Sequence, residues 1–156
     1  MAFRIVASLL AEGVALDGFT DRLTAFNMLE TVYSPSFPAV LGKLVVINVY
    51  EIEDGHMAQW ERVTVLDGTG QQLGQVVTEL AGEGGAFRSM AMFQGLKLEK
   101  PGVYRVVVEG ARRRDGPWEQ LQHRRLHAQL RPHPLARSGE ANPDAGKITG
   151  PVAITD

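Results

Sequence analysis

The residues in this chain best equipped for chemistry are few and scattered. Four histidines stand at positions 56, 123, 127 and 133. On a helix His123 and His127 would face the same way and could share a metal ion, but the first lacks the adjacent glutamate of the metalloprotease spacing. On a strand they share a face about 13 Å apart, beyond the reach of one ion, so solvated surface histidines and no bound metal are expected. Glu51, Glu53 and Asp54 have the composition of a glycosidase carboxylate pair or of calcium ligands, and a strand end running into solvent accounts for them equally well. The serines, at 8, 34, 36, 89 and 138, occupy no Gly-x-Ser-x-Gly elbow. With no cysteine there is no thiolate nucleophile, thiolate metal site or disulfide. The glycines at 82, 84 and 85 lack the Lys-Thr pair of a phosphate loop and read as a hinge or bulge. No nucleophile, base and orienting group can be assembled, so neither catalytic residues nor a cofactor are expected.

Binding is better served. Arg112, Arg113 and Arg114, with Trp118 and the Arg124-Arg125 pair nearby, offer charge and stacking for an anionic or protein partner, although Asp115 and Glu119 partly neutralise them and a solubilising hairpin tip is the plain alternative. Phe37, in the proline-flanked segment Ser34-Pro35-Ser36-Phe37-Pro38, is the remaining candidate. Phe37, Arg112, Arg113, Arg114 and Trp118 therefore form the expected binding set. Met90 and Met92 are read as gap-fillers in the core.

Composition bounds the possibilities. A chain of 156 residues suits one domain, and its 44% apolar and 22% charged residues with net charge −2 are ordinary for a soluble globular protein. So balanced a charge argues against wrapping nucleic acid. The apolar run Ile5 to Ala11 is interrupted by Ser8 and closed by Glu12, which suits a first strand better than a signal peptide. Nothing approaches the roughly 18 apolar residues of a membrane helix, and a cytoplasmic location is expected.

The elements that must position these residues are strands. Lys43 to Glu53 is apolar on both faces at Leu44 through Ile47 and should be central. Thr20 to Tyr33 is less decided, with a strand favoured from about Leu23. Gln59 to Leu66 and Leu73 to Leu80 flank the Asp67-Gly68-Thr69-Gly70 turn. Phe87, Ser89, Ala91 and Phe93 alternate with Arg88, Met90 and Met92. Leu96 and Leu98 then lead to a Pro101-Gly102 corner and the strand Val103 to Glu109, and Trp118 to Leu130 returns from the arginine tip. At the first inward position after that corner, Tyr104 can bury its ring while its hydroxyl reaches the corner backbone, a tyrosine corner. About eight strands with frequent turn signals and no convincing helix indicate an antiparallel β-sandwich over residues 1–130. Residues 131–156, with several prolines and then β-formers from Lys147 to Ile154, read as an extended tail laid along a sheet edge of its own or a neighbouring subunit.

The Ala7-Ser8-Leu9-Leu10-Ala11 opening, the Ser34-to-Ala39 loop, the Asp67-Gly68 hairpin and Pro101-Gly102-Val103-Tyr104 together resemble a family of small uncharacterised bacterial proteins with an immunoglobulin-like sandwich. The resemblance covers about residues 3 to 130 and implies a fold without an activity. The functional expectation is a non-enzymatic interaction module that self-associates or binds a protein partner through a sheet edge or loops, with no nucleic acid and no membrane. A small-ligand or carbohydrate-binding domain using Trp118 and Trp60 is the alternative, and a metal-dependent hydrolase would require histidines and acids from separate loops to converge.

Overall fold

The computed structural model describes residues 3–52, 59–80 and 85–131. These form nine strands and no helix: β1 Phe3–Leu16, β2 Leu23–Met28, β3 Thr31–Ser34, β4 Ala39–Ile52, β5 Gln59–Leu66, β6 Gln72–Leu80, β7 Gly85–Leu98, β8 Gly102–Ala111 and β9 Glu119–Leu130. One sheet has the order β2-β1-β4-β7 and the other β3-β9-β8-β5-β6. All pairings are antiparallel except that of β3 with β9. The strand content expected from alternation is present, and the count is nine rather than eight because the undecided segment is two strands. After Met28 the chain leaves the first sheet. Leu29, 9% exposed, packs in the core, its N–H donates to the Leu10 carbonyl at 2.8 Å, and the chain joins the second sheet as β3.

β4 is central, between β1 and β7. Its inner face places Leu44 and Val46 in the core, and its outer Val45 and Ile47 are also buried, against Val14, Leu23 and Ala25. The end of the β1–β2 hairpin therefore lies across the outer face of its own sheet, where Arg88 of β7 donates to the Asp21 carbonyl at 2.7 Å. Met90 and Met92, expected in the core, are instead 44% exposed each. Alternation is the reason: Ser89, Ala91 and Phe93 take the inner face of β7, so the residues between them must point out.

The corner forms as expected. Tyr104 is 3% exposed and its hydroxyl donates to the Lys100 carbonyl at 2.8 Å. In the Asp67 turn only Gly70 takes a left-handed φ, of 91°. The Asp67 carboxylate accepts from the Thr69 hydroxyl at 2.7 Å and the Gln71 N–H at 2.9 Å, bonds that hold its pKa below the ordinary aspartate value.

Register defines two ends of the sandwich. The lower end holds the β4 start, where Ala39 faces Leu98, and the β8 start, where Gly102 faces Ala128. The upper end holds Tyr50, Glu61 and the Trp60–Ala111 pair.

Candidate interaction surfaces and the buried Glu61 network

The expected binding residues are divided between these two ends. Phe37 follows β3 and precedes β4 at the lower end, where it packs, half-buried, against the main core. Arg112, Arg113 and Arg114 follow β8 at the upper end and are exposed. The fold separates Phe37 from the arginines by the length of β8, so they cannot act on one small ligand.

At the upper end, alternation along β5 turns Trp60 and Arg62 onto the outer face. The Arg62 guanidinium lies 4.4 Å from the Trp118 ring centroid and Arg114 lies 5.6 Å from that of Trp60, distances typical of cation–π contacts. Arg62 also grips Glu109, its neighbour on β8, with Nε at 2.6 Å from Oε2 and the second nitrogen at 2.8 Å from Oε1. These hydrogen bonds raise the Arg62 pKa above its usual value. Both indoles are half-buried. Beside them is a pocket of about 550 Å³ lined by Ala111, Arg112, Arg113, Asp115, Pro117 and Glu119. The tip thus brings Arg112, Arg113, Arg114 and Trp118 to one end of the molecule, beside Trp60, Arg62 and Glu109.

On the inner face of β5, Glu61 is 1% exposed. Its Oε1 accepts from Asn48 Nδ2 at 2.6 Å, from Ser89 Oγ at 2.8 Å and from the Tyr50 hydroxyl. Burial is the main reason that the Tyr50 pKa is raised, and the nearby Glu61 charge adds to it. Ser8, Asn48 and Ser89 stand opposite one another on β1, β4 and β7, so this polar row crosses the sheet beneath Glu61. Ser8 Oγ, Asn48 Oδ1, Gln59 Oε1 and Glu61 Oε2 have no hydrogen-bond partner among the described residues. The signal for Glu61 was present in the sequence, since it has the same parity as the buried Val63 and Val65.

Among the described residues, the other acids and histidines do not converge. Glu51 accepts from Arg4 at 2.9 and 2.6 Å. His123 and His127 lie on one strand, β9, and no group of three histidines or acids able to hold a metal occurs among the described residues. His56, His133, Glu53, Asp54, Gly82, Gly84 and the tail from residue 132 lie outside the described residues.

A surface not singled out by residue type runs along one side of the sandwich. β2 pairs with β1 only over residues 11–16, and β3 pairs with β9 only over 127–130. Among the described residues, β1 over 3–10 and β9 over 119–126 therefore each lack a strand partner on one edge, although the Leu10 carbonyl of β1 accepts from the Leu29 N–H, and the two strands lie against each other. Arg124 spans the seam, its guanidinium donating to the Ser8 carbonyl. His127 directs its N–H away from β8, to Glu30 O at 2.9 Å. Two-residue alternation turns the N–H and C=O groups of Arg125 and His123 the same way. A slot of about 380 Å³ opens here, lined by residues including Leu9, Leu10, Met28, Leu29, Arg125 and His127.

No family model matches this sequence, and no curated protein matches it. Among solved structures, it is similar to the C-terminal domain of wzt, with a TM-score of 0.51, 8% identity, and coverage of 82% of this chain and 74% of that one. It also aligns with the Pseudomonas fluorescens alkylpurine DNA glycosylase AlkC bound to DNA containing an abasic site analog, with a TM-score of 0.48 and 10% identity, over 82% of this chain. The chain spans 30% of the length of that glycosylase. The likeness to the wzt domain is one of fold. No described helix is long and apolar enough to cross a membrane.

Proposed function

We propose that this protein is a non-enzymatic interaction module of the cytoplasm, an immunoglobulin-like sandwich that binds an extended segment of a protein partner along the β1–β9 seam. The parallel β3–β9 pairing and the Tyr104 corner support the immunoglobulin-like assignment. The observation that carries the function is that, among the described residues, β9 over 119–126 has no strand partner on the edge that lies beside β1. Free backbone donors and acceptors are a template for strand addition, in which main-chain bonds supply affinity and alternate side chains supply selectivity. The arginine and tryptophan groups at the tip, of the residue types that dominate interface energies, extend the contact surface at the upper end.

His123→Pro tests the proposal. The His123 N–H faces the seam and not β8, so proline removes an edge donor without breaking the β8–β9 ladder. Sedimentation across a concentration range and capture from native lysate, with the full-length chain as bait, should give self-association or bound proteins for the wild type and their loss in the variant at an unchanged unfolding midpoint. An inert wild-type monomer, or association indifferent to the substitution, would overturn it.

A second reading is favoured by one observation, that neither indole is buried. A sugar could stack on Trp60 if Arg114, the more distant of the two guanidiniums, moved aside. Quenching of tryptophan fluorescence by a panel of oligosaccharides, abolished in Trp60→Ala, is the expected result, and an unresponsive wild type would remove the idea.

A further inference from the structure

On β9, alternation places His123, Arg125 and His127 along one face, and Arg105 of β8 stands directly opposite Arg125. Like charges in facing positions repel. Both arginines are exposed, and neither has an ion-pair partner among the described residues. A chain with net charge −2 thus concentrates positive charge beside this edge of β9, in the lane that β3 would occupy if it continued past Thr31, with Glu30 at the head of that lane the one acid among the described residues lining the slot. The slot beneath that lane is mixed, apolar at Leu9, Leu10, Met28 and Leu29 and polar at Ser8, Thr31 and Arg124.

Resting on the edge-pairing reading above, we infer that the partner segment is acidic and amphipathic, an extended stretch of alternating carboxylate and apolar residues added to β9 in line with β3. A strand in that lane turns every second side chain toward His123 and Arg125, where carboxylates relieve the Arg105–Arg125 repulsion. The intervening side chains turn down into the slot, against Leu10 and Leu29. Arg124 keeps its contact with the Ser8 carbonyl and forms part of the floor. The simpler role for a basic edge is to deter pairing between copies of the chain. The two roles differ in their response to charge reversal: a deterrent edge would become stickier to itself, and a recognition edge would lose its ligand.

The probe is a short capped peptide of alternating glutamate and valine, titrated into the full chain and followed by amide resonances and hydrogen exchange. Its counterparts carry glutamine or lysine in place of glutamate. The glutamate peptide should protect the His123 and Arg125 amides, bind more weakly as salt rises, and bind about tenfold more weakly to Arg125→Glu, while the lysine peptide gains on that variant. If the glutamine peptide protects the same amides equally well, edge pairing stands and the acidic preference is wrong. If no peptide alters the seam amides while those at the arginine tip respond, the edge reading falls as well. Protection of the seam in the peptide-free protein that increases with its concentration would make a second copy the occupant and overturn the inference.

Discussion

The two ends of this sandwich solve the burial problem in opposite ways. At the lower end the space between the sheets is filled by Leu41, Leu44, Val65, Phe93, Leu96, Leu98, Val106 and Leu126, closed by a tyrosine whose one polar atom returns to the chain at the corner. At the upper end, Asn48, Tyr50 and Ser89 enter the same interior and converge on one carboxylate oxygen. Apolar packing tolerates imperfection in small increments, whereas a shared acceptor makes each donor depend on a single residue. The lower end therefore behaves as a packed core, and the upper end as a network.

Glu61→Ala should be the sharpest way to break this comparison. It leaves three buried donors without an acceptor, at an expected cost of about 3 kcal/mol in urea unfolding, and Glu61→Gln, which keeps a carbonyl oxygen, should cost less. Equal losses for the two variants would mean that charge, not acceptor geometry, is what the network uses. At the lower end, Gly74→Ala should cost about 1–2 kcal/mol, because a Cβ there would stand 3.0 Å from Phe93 Cδ1 and 3.3 Å from Leu96 Cδ2. Adding Phe93→Leu should recover part of that loss, as expected where the problem is volume. The smallest effect concerns pH. The Tyr50 pKa in the folded protein lies above its ordinary value of 10.0, so its stabilising contribution is complete below that pH and declines as pH rises beyond it. Stability measured from neutral pH to pH 11 should fall less steeply in Tyr50→Phe, and parallel curves would detach Tyr50 from the network.

The strand plan was legible because alternation is a local property. The inward turn of Tyr104, the central place of β4 and the limits of β5 all follow from which neighbours are apolar and where glycine and proline interrupt them. The same rule already pointed Met90 and Met92 outward, once Ser89 and Ala91 were granted the inner face, but methionine chemistry suggested otherwise. Glu61 shows the complementary error. Its parity with Val63 and Val65 assigned it to the interior, yet a charged residue was not an obvious occupant until Asn48, Tyr50 and Ser89 were found around it.

The candidate surfaces divide along the same line. The arginine tip was visible from composition, because four basic or aromatic residues within seven positions remain neighbours in any hairpin. The seam was not, because it exists only where β2 and β3 stop pairing and β1 meets β9, strands more than a hundred residues apart in sequence. Side-chain alternation and turn chemistry act between near neighbours, so the sequence alone determined the strands, their inner faces and the corner. Which sheet each strand joined, that Glu61 met its donors, that Phe37 and the arginine tip stand at opposite ends, and that among the described residues β9 keeps an edge without a strand partner beside β1 were decided only by tertiary structure, since each depends on contacts between segments whose separation along the chain carries no local signal.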